Sequence, residues 1–142
     1  MPTTIDLQAA IASVQTTIAA ISGIRQAPAT PPEDATSFPF VVAYAGAGEF
    51  MGASPASSLK YLGSIIVDLH LARKDLPRDV AKVMTYHTAI PNAILNDITL
   101  GGNLDMCGPV ACSGLIVMQY GDQETLGLRY TIQNVKIVAN FT

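Results

Sequence analysis

The stretch "VDLHLARKDLPRDVAKVM", residues 67–84, is where the chain changes its apolar period. It continues "KYLGSIIVDLHLA", residues 60–72, in which Tyr61, Ile65, Val67, Leu69 and Leu71 alternate with Lys60, Ser64, Asp68 and His70. Period-two alternation is the pattern of a half-exposed antiparallel strand. After it, Val80, Val83, Met84 and His87 recur at helical spacing and mark the expected buried side of a helix. Between the two lies a dense set of charges, Lys74, Asp75, Arg78 and Asp79, around Pro77. Asp75 suits an N-cap, Pro77 fits a first turn whose N–H has no partner anyway, and Asp79 favours the helix dipole. These charges start a helix; capping and solvation explain them better than catalysis.

Working outward, Leu7, Ile11, Val14, Ile18 and Ile21 form a single stripe, predicting an N-terminal amphipathic helix capped by Thr3, with Asp6 in its first turn and Gly23 beyond its end. Residues 24–39, "IRQAPATPPEDATSFP", hold four prolines and predict an extended connector, either a passive strap or a binding segment. A strand is centred on Phe40–Tyr44. The Gly- and Ser-rich residues 46–58 predict a long hairpin loop, whose Phe50 and Met51 either fold back onto the sheet or stay exposed to meet a partner. Pro91 is expected to stop or kink the second helix, with a short helical turn in "PNAILND". Residues 98–114 read as loop. "YGDQET", residues 120–125, reads as the turn of a closing hairpin. In the last strand the apolar set runs Leu126, Leu128, Tyr130, Ile132 and then changes parity to Val135 and Ile137; a β-bulge near Gln133–Asn134 would return both sets to one core.

The order helix, hairpin, helix, hairpin predicts a single α+β domain over residues 1–142. Its architecture is two-layer, a four-stranded, mostly antiparallel sheet with two helices on one face.

Composition narrows the function. The chain has 142 residues, 49% of them hydrophobic and only 13% charged, against a usual charged fraction of about 25%. A chain so poor in charge has little with which to cover its surface, which points to burial against other subunits. Its net charge of −3, without a basic run, argues against binding by phosphate neutralisation. Nothing approaches the ~18 continuous apolar residues of a membrane span, and the first residues lack the pattern of a secretory signal. Cys107 and Cys112 have no Cys or His pair to complete a zinc site, and read as ordinary thiols rather than a disulfide. His70 with Asp68, and Cys112 or Ser113 as nucleophile, make no motif in sequence; an enzyme would require His70 or His87 to meet Asp68, Cys112 or Ser113 in a cleft. "GAGEFMG", residues 46–52, lacks the Lys-Ser/Thr of a phosphate-binding loop. No catalytic set, metal or cofactor is expected.

The ordered segments "GIRQAPATPPEDATSFPFVVAYAGAGEF", "IIVDLHLARKDLPRDVAKVM", "IPNAIL" and "TLGLRYTIQNVKI" resemble the tail terminator and neck (head–tail joining) proteins of long-tailed bacteriophages and phage-like particles, over roughly residues 5–138. The resemblance lies in segment order and texture, not in a catalytic motif. It implies a tube-like α+β subunit of a hexameric ring that caps the tail tube and meets a head-side connector, with DNA passing through the lumen without specific binding. It places the protein in the virion after synthesis in the host cytoplasm. On this reading Phe50, Met51, Arg25, Pro31 and Pro32 would contact a neighbouring subunit or the tube, while Asp68, His70, Arg129 and Gln133 would line the lumen or face solvent. A head-closure protein, a tail-tube subunit, a small ligand-binding domain or a hydrolase are the alternatives.

Overall fold

The computed structural model describes residues 5–21, 40–53, 58–72, 76–100, 102, 104–120 and 123–140. The elements are α1 (Leu7–Ala19), β1 (Phe40–Ala53), β2 (Ser58–Ala72), α2 (Leu76–Leu95), β3 (Val110–Tyr120) and β4 (Gln123–Asn140). The four strands form one sheet in the order β1-β2-β4-β3, antiparallel at every pairing. Both helices supply side chains to a core shared with the sheet, giving the two-layer α+β fold that the periodicity predicts. That core joins Val14 and Ile18 of α1 and Tyr86, Ile90 and Ile94 of α2 to Ile65, Val67 and Leu69 of β2 and Leu128, Tyr130 and Ile132 of β4.

The α1 stripe packs as expected. Val14 and Ile18 are fully buried, and Leu7, Ile11 and Ile21 are partly buried against the same core. The cap differs from the expectation: Asp6 is the N-cap, its Oδ1 accepting from the Ala9 N–H at 3.0 Å. The Asp6 carboxylate satisfies one of the orphan donors of the first turn. Thr3 and Gly23 lie outside the described residues, as do the connector 24–39 and Asp75. Buried Gln15 ties the helix to the sheet, its Nε2 donating to the Val41 carbonyl at 3.1 Å, and Ser13 Oγ donates to the Leu100 carbonyl at 2.6 Å.

The loop expected over residues 46–58 is mostly strand. β1 continues to Ala53 and β2 begins at Ser58, with Met51 paired to Lys60 and Phe50 to Tyr61. The reason is the Tyr61 ring. It lies across Gly48 and Gly63, where any Cβ would run into it, and Phe50 rests on it with ring centroids 4.8 Å apart. Here glycine makes room for an aromatic ring above the strand pair; it does not signal a turn.

Ser64 marks a bend across three strands. Gly46 and Ala47 of β1 both oppose it, and so do Gln133 and Asn134 of β4. The second bulge is the one that the parity change predicts. Asn134 takes the left-handed φ of 52°, and Leu128, Tyr130, Ile132, Val135 and Ile137 all reach the core. Asn134 Nδ2 donates to the Gly108 carbonyl at 3.1 Å, while Gln133 exchanges backbone bonds with Gly108 and Pro109.

In α2 Pro91 does not stop the helix, and the buried stripe differs from the expected one. Pro91 lies inside the helix, which runs unbroken to Leu95. Proline removes the donor that would have reached the His87 carbonyl four residues back. The Tyr130 hydroxyl of β4 takes its place, donating to that carbonyl at 2.8 Å. The buried stripe is also different: Tyr86, Ile90 and Ile94 face the core, while Met84 is exposed and His87 half-buried. An aromatic and two isoleucines spaced by four bury more apolar area than the Met84/His87 side, so they set the helix rotation. The side chains of Val80 and Val83 lie outside the described ones.

Of the region 98–114, expected as loop, the described residues before Val110 lie outside the helices and strands, and β3 begins at Val110. Tyr120 pairs with Gln123, leaving a two-residue connection as the hairpin reading requires; Gly121 and Asp122 themselves lie outside the described residues.

Candidate functional site

Two polar clusters flank the sheet. On the face away from the helices, register places Asp68 directly between Val42 of β1 and Arg129 of β4. Arg129 grips the Asp68 carboxylate with both ends of its fork, Nε to Oδ1 at 2.8 Å and Nη2 to Oδ2 at 3.2 Å. Tyr44, two residues along β1, donates its hydroxyl to Oδ2 at 2.9 Å. Burial and then the Asp68 charge push the Tyr44 phenol above its ordinary pKa, and hydrogen bonding to Asp68 holds the Arg129 guanidinium further towards its charged form. Such a bidentate pair with a third partner fixes geometry more than it adds stability.

Asp68 and His70 were expected on a half-exposed polar face, and both are buried. Tyr44 and Arg129 close over Asp68. His70 packs against the Phe40 ring, and its Nδ1 lies 2.6 Å from the Thr125 hydroxyl. Desolvation lowers the His70 pKa. Of the four positions proposed for a lumen, only Arg129 and Gln133 reach the surface, Gln133 at the β4 bulge.

The second cluster is on the helix side of β3. Cys112 pairs with Tyr130 in register, which turns its side chain toward α2. There the Cys112 Sγ lies 3.8 Å from His87 Nε2. The Tyr130 phenol, donated to the His87 carbonyl, lies beside the same sulfur; burial, then Cys112, raises its pKa. Cys107 differs. It is buried, and burial followed by the Asp97 charge pushes its thiol up. Among the described residues, no group of three or more His, Cys, Asp or Glu is arranged to hold a metal.

The remaining expected contact residues divide. Phe50 is 60% exposed even while resting on Tyr61, and Met51 is half-buried. Arg25, Pro31 and Pro32 lie outside the described residues. Sequence reasoning did not pair Tyr44 with Asp68 and Arg129; it named His87 with Cys112 only as one of several pairings that an enzyme would require. The first set depends on strand register, and the second on the rotation of α2.

No protein-family model matches the chain, and no curated protein sequence is significantly similar to it. Among the described residues no helix is long and apolar enough to cross a membrane.

Proposed function

We propose that the chain is a structural subunit of a phage-type tail, a tail terminator that closes into a ring, caps the tail tube and joins it to the head-side connector. The observation that carries this reading is the distribution of exposed apolar side chains. Both edge strands carry them: Tyr44 and Phe50 on β1, Leu115 and Val117 on β3, with Phe50 60% and Val117 53% exposed. A ring requires two different adhesive surfaces on each subunit, one on either side. Exposed, apolar edge strands otherwise invite uncontrolled association, so a soluble protein that keeps them has a use for them. The charge fraction of 13% agrees with surface buried between subunits. The segment order resembles the terminator family, in which DNA passes through a lumen without base-specific contact. Arg129, neutralised by Asp68, suits a wall that does not grip phosphate.

The test is light scattering with negative-stain microscopy on the purified protein. A discrete ring near six times the 14.9 kDa chain mass supports the terminator. Long tubes move the assignment to a tube subunit. A monomer that fails to cap growing tail tubes rejects both.

The proximity of Cys112 and His87 is the observation that favours a hydrolase as the second reading. Against it, among the described residues no carboxylate hydrogen-bonds the other His87 ring nitrogen, so the third member of a catalytic triad is not in place. An acyl-enzyme trapped on Cys112 by an activated ester would revive it.

A further inference from the structure

The geometry points to Cys112 as a nucleophilic thiol, with His87 as its proton acceptor, that exchanges with low-molecular-weight disulfides and carries them as a mixed disulfide. Cys112 shares edge strand β3 with Leu115 and Val117, so the exchange is assigned to the subunit outside the ring. Three features of the fold build the site. Cys112 sits on edge strand β3 immediately before a bulge, where Ser113 and Gly114 both oppose Arg129 and Gly114 has φ 78°. The bulge and the edge position leave the sulfur exposed. On the other side, His87 lies one turn before Pro91, and the Tyr130 hydroxyl holds its carbonyl at 2.8 Å. That bond fixes the backbone from which the imidazole reaches the sulfur, and it uses the phenol proton, so Tyr130 acts as a positioning residue.

The Sγ–Nε2 separation of 3.8 Å is at the long end for a sulfur–nitrogen hydrogen bond. Nucleophile–base pairs are commonly this loose before a reactant binds. His87 is half-buried, so the pair is open to a small reactant yet partly shielded from water. The titratable groups that face the sulfur among the described residues are His87 from α2 and Tyr130 from β4. Cys107, buried beside Asp97, provides an internal contrast as an inert thiol.

The exchange balances without an external oxidant. The Cys112 Sγ–H proton passes to His87 Nε2. The thiolate attacks one sulfur of the disulfide, the S–S bond breaks, and the departing thiolate takes the proton back from His87. One disulfide and one protein thiol become one mixed disulfide and one free thiol.

The test uses the full chain and oxidised glutathione, with intact-mass and peptide-mass readouts. At pH ~7 Cys112 is expected to acquire glutathione at least about tenfold faster than Cys107. His87→Gln is expected to slow Cys112 about tenfold at that pH. Equal rates for His87→Gln and the parent protein at neutral pH overturn the role of His87. Should that variant fail to fold, the parent protein alone decides. Labelling of Cys107 as fast as Cys112, or a Cys112 slower than an unstructured cysteine peptide, overturns the site.

Discussion

Tyr130 ties the helix layer to the sheet layer. Its ring is fully buried in β4 and its hydroxyl supplies the hydrogen bond that Pro91 denies to α2. Tyr130→Phe leaves the His87 carbonyl without that donor and should cost about 1–3 kcal/mol in urea unfolding. In a Pro91→Ala background the helix regains its own N–H, so the same substitution should cost distinctly less; equal costs in both backgrounds would disprove the coupling. His70 makes a second prediction. Burial lowers its folded pKa, with smaller and opposing effects from Asp68 and Arg129. As pH falls, the unfolded chain therefore takes up the proton first. The stability held by neutral His70 is complete above about pH 6.5 and is lost below it, towards the lower folded value, by at most about 1.4 kcal/mol per pH unit. Urea midpoints at about pH 7, 6 and 5 should fall less steeply in His70→Gln than in the parent protein.

At the scale of elements, glycines and bulges decide how the strands run. Gly127 of β4 faces the backbone of β2, where a Cβ would collide with the Leu69 carbonyl oxygen. Backbone cannot swing aside as a side chain can, so Gly127→Ala should cost about 3 kcal/mol. Gly52, with open space around the same position, should tolerate alanine with little change; thermal unfolding of the two variants compares them. The β4 bulge was legible in sequence because an apolar set that changes parity can share one core only by inserting a residue. The β1 strand past Ala45 was not legible. Its run of Gly and Ala carries the composition of a loop, and only the Tyr61 ring lying over Gly48 and Gly63 gives those glycines a strand's function. The rotation of α2 was hidden for a similar reason. Its sequence offers two overlapping stripes, and the sheet beneath it selects Tyr86, Ile90 and Ile94.

At the scale of the molecule, the two apolar edges make the assembly testable by complementation. On the ring reading, Phe50→Ser and Val117→Ser each remove one side of the same heterologous interface. Each variant alone should lose the ring mass in light scattering without losing its thermal unfolding transition. Mixed together, they should recover pairs but not rings, because one of the two contacts in each pair is restored. An unchanged mass in both variants would remove these edges from the interface.

Sequence alone determined the layer architecture: two helical segments and two strand hairpins have only a few ways to bury their apolar faces, and two helices on one side of an antiparallel sheet is among the simplest. It also determined the parity correction in β4, since this depends on neighbours in the chain. Tertiary structure alone decided that Asp68 is held by Tyr44 and Arg129, that His70 is enclosed with Thr125, that a proline survives inside α2, and that Cys112 meets His87. Each of these joins residues on different elements through strand register or helix rotation. Those two quantities are fixed by packing the whole chain, and no local pattern encodes them.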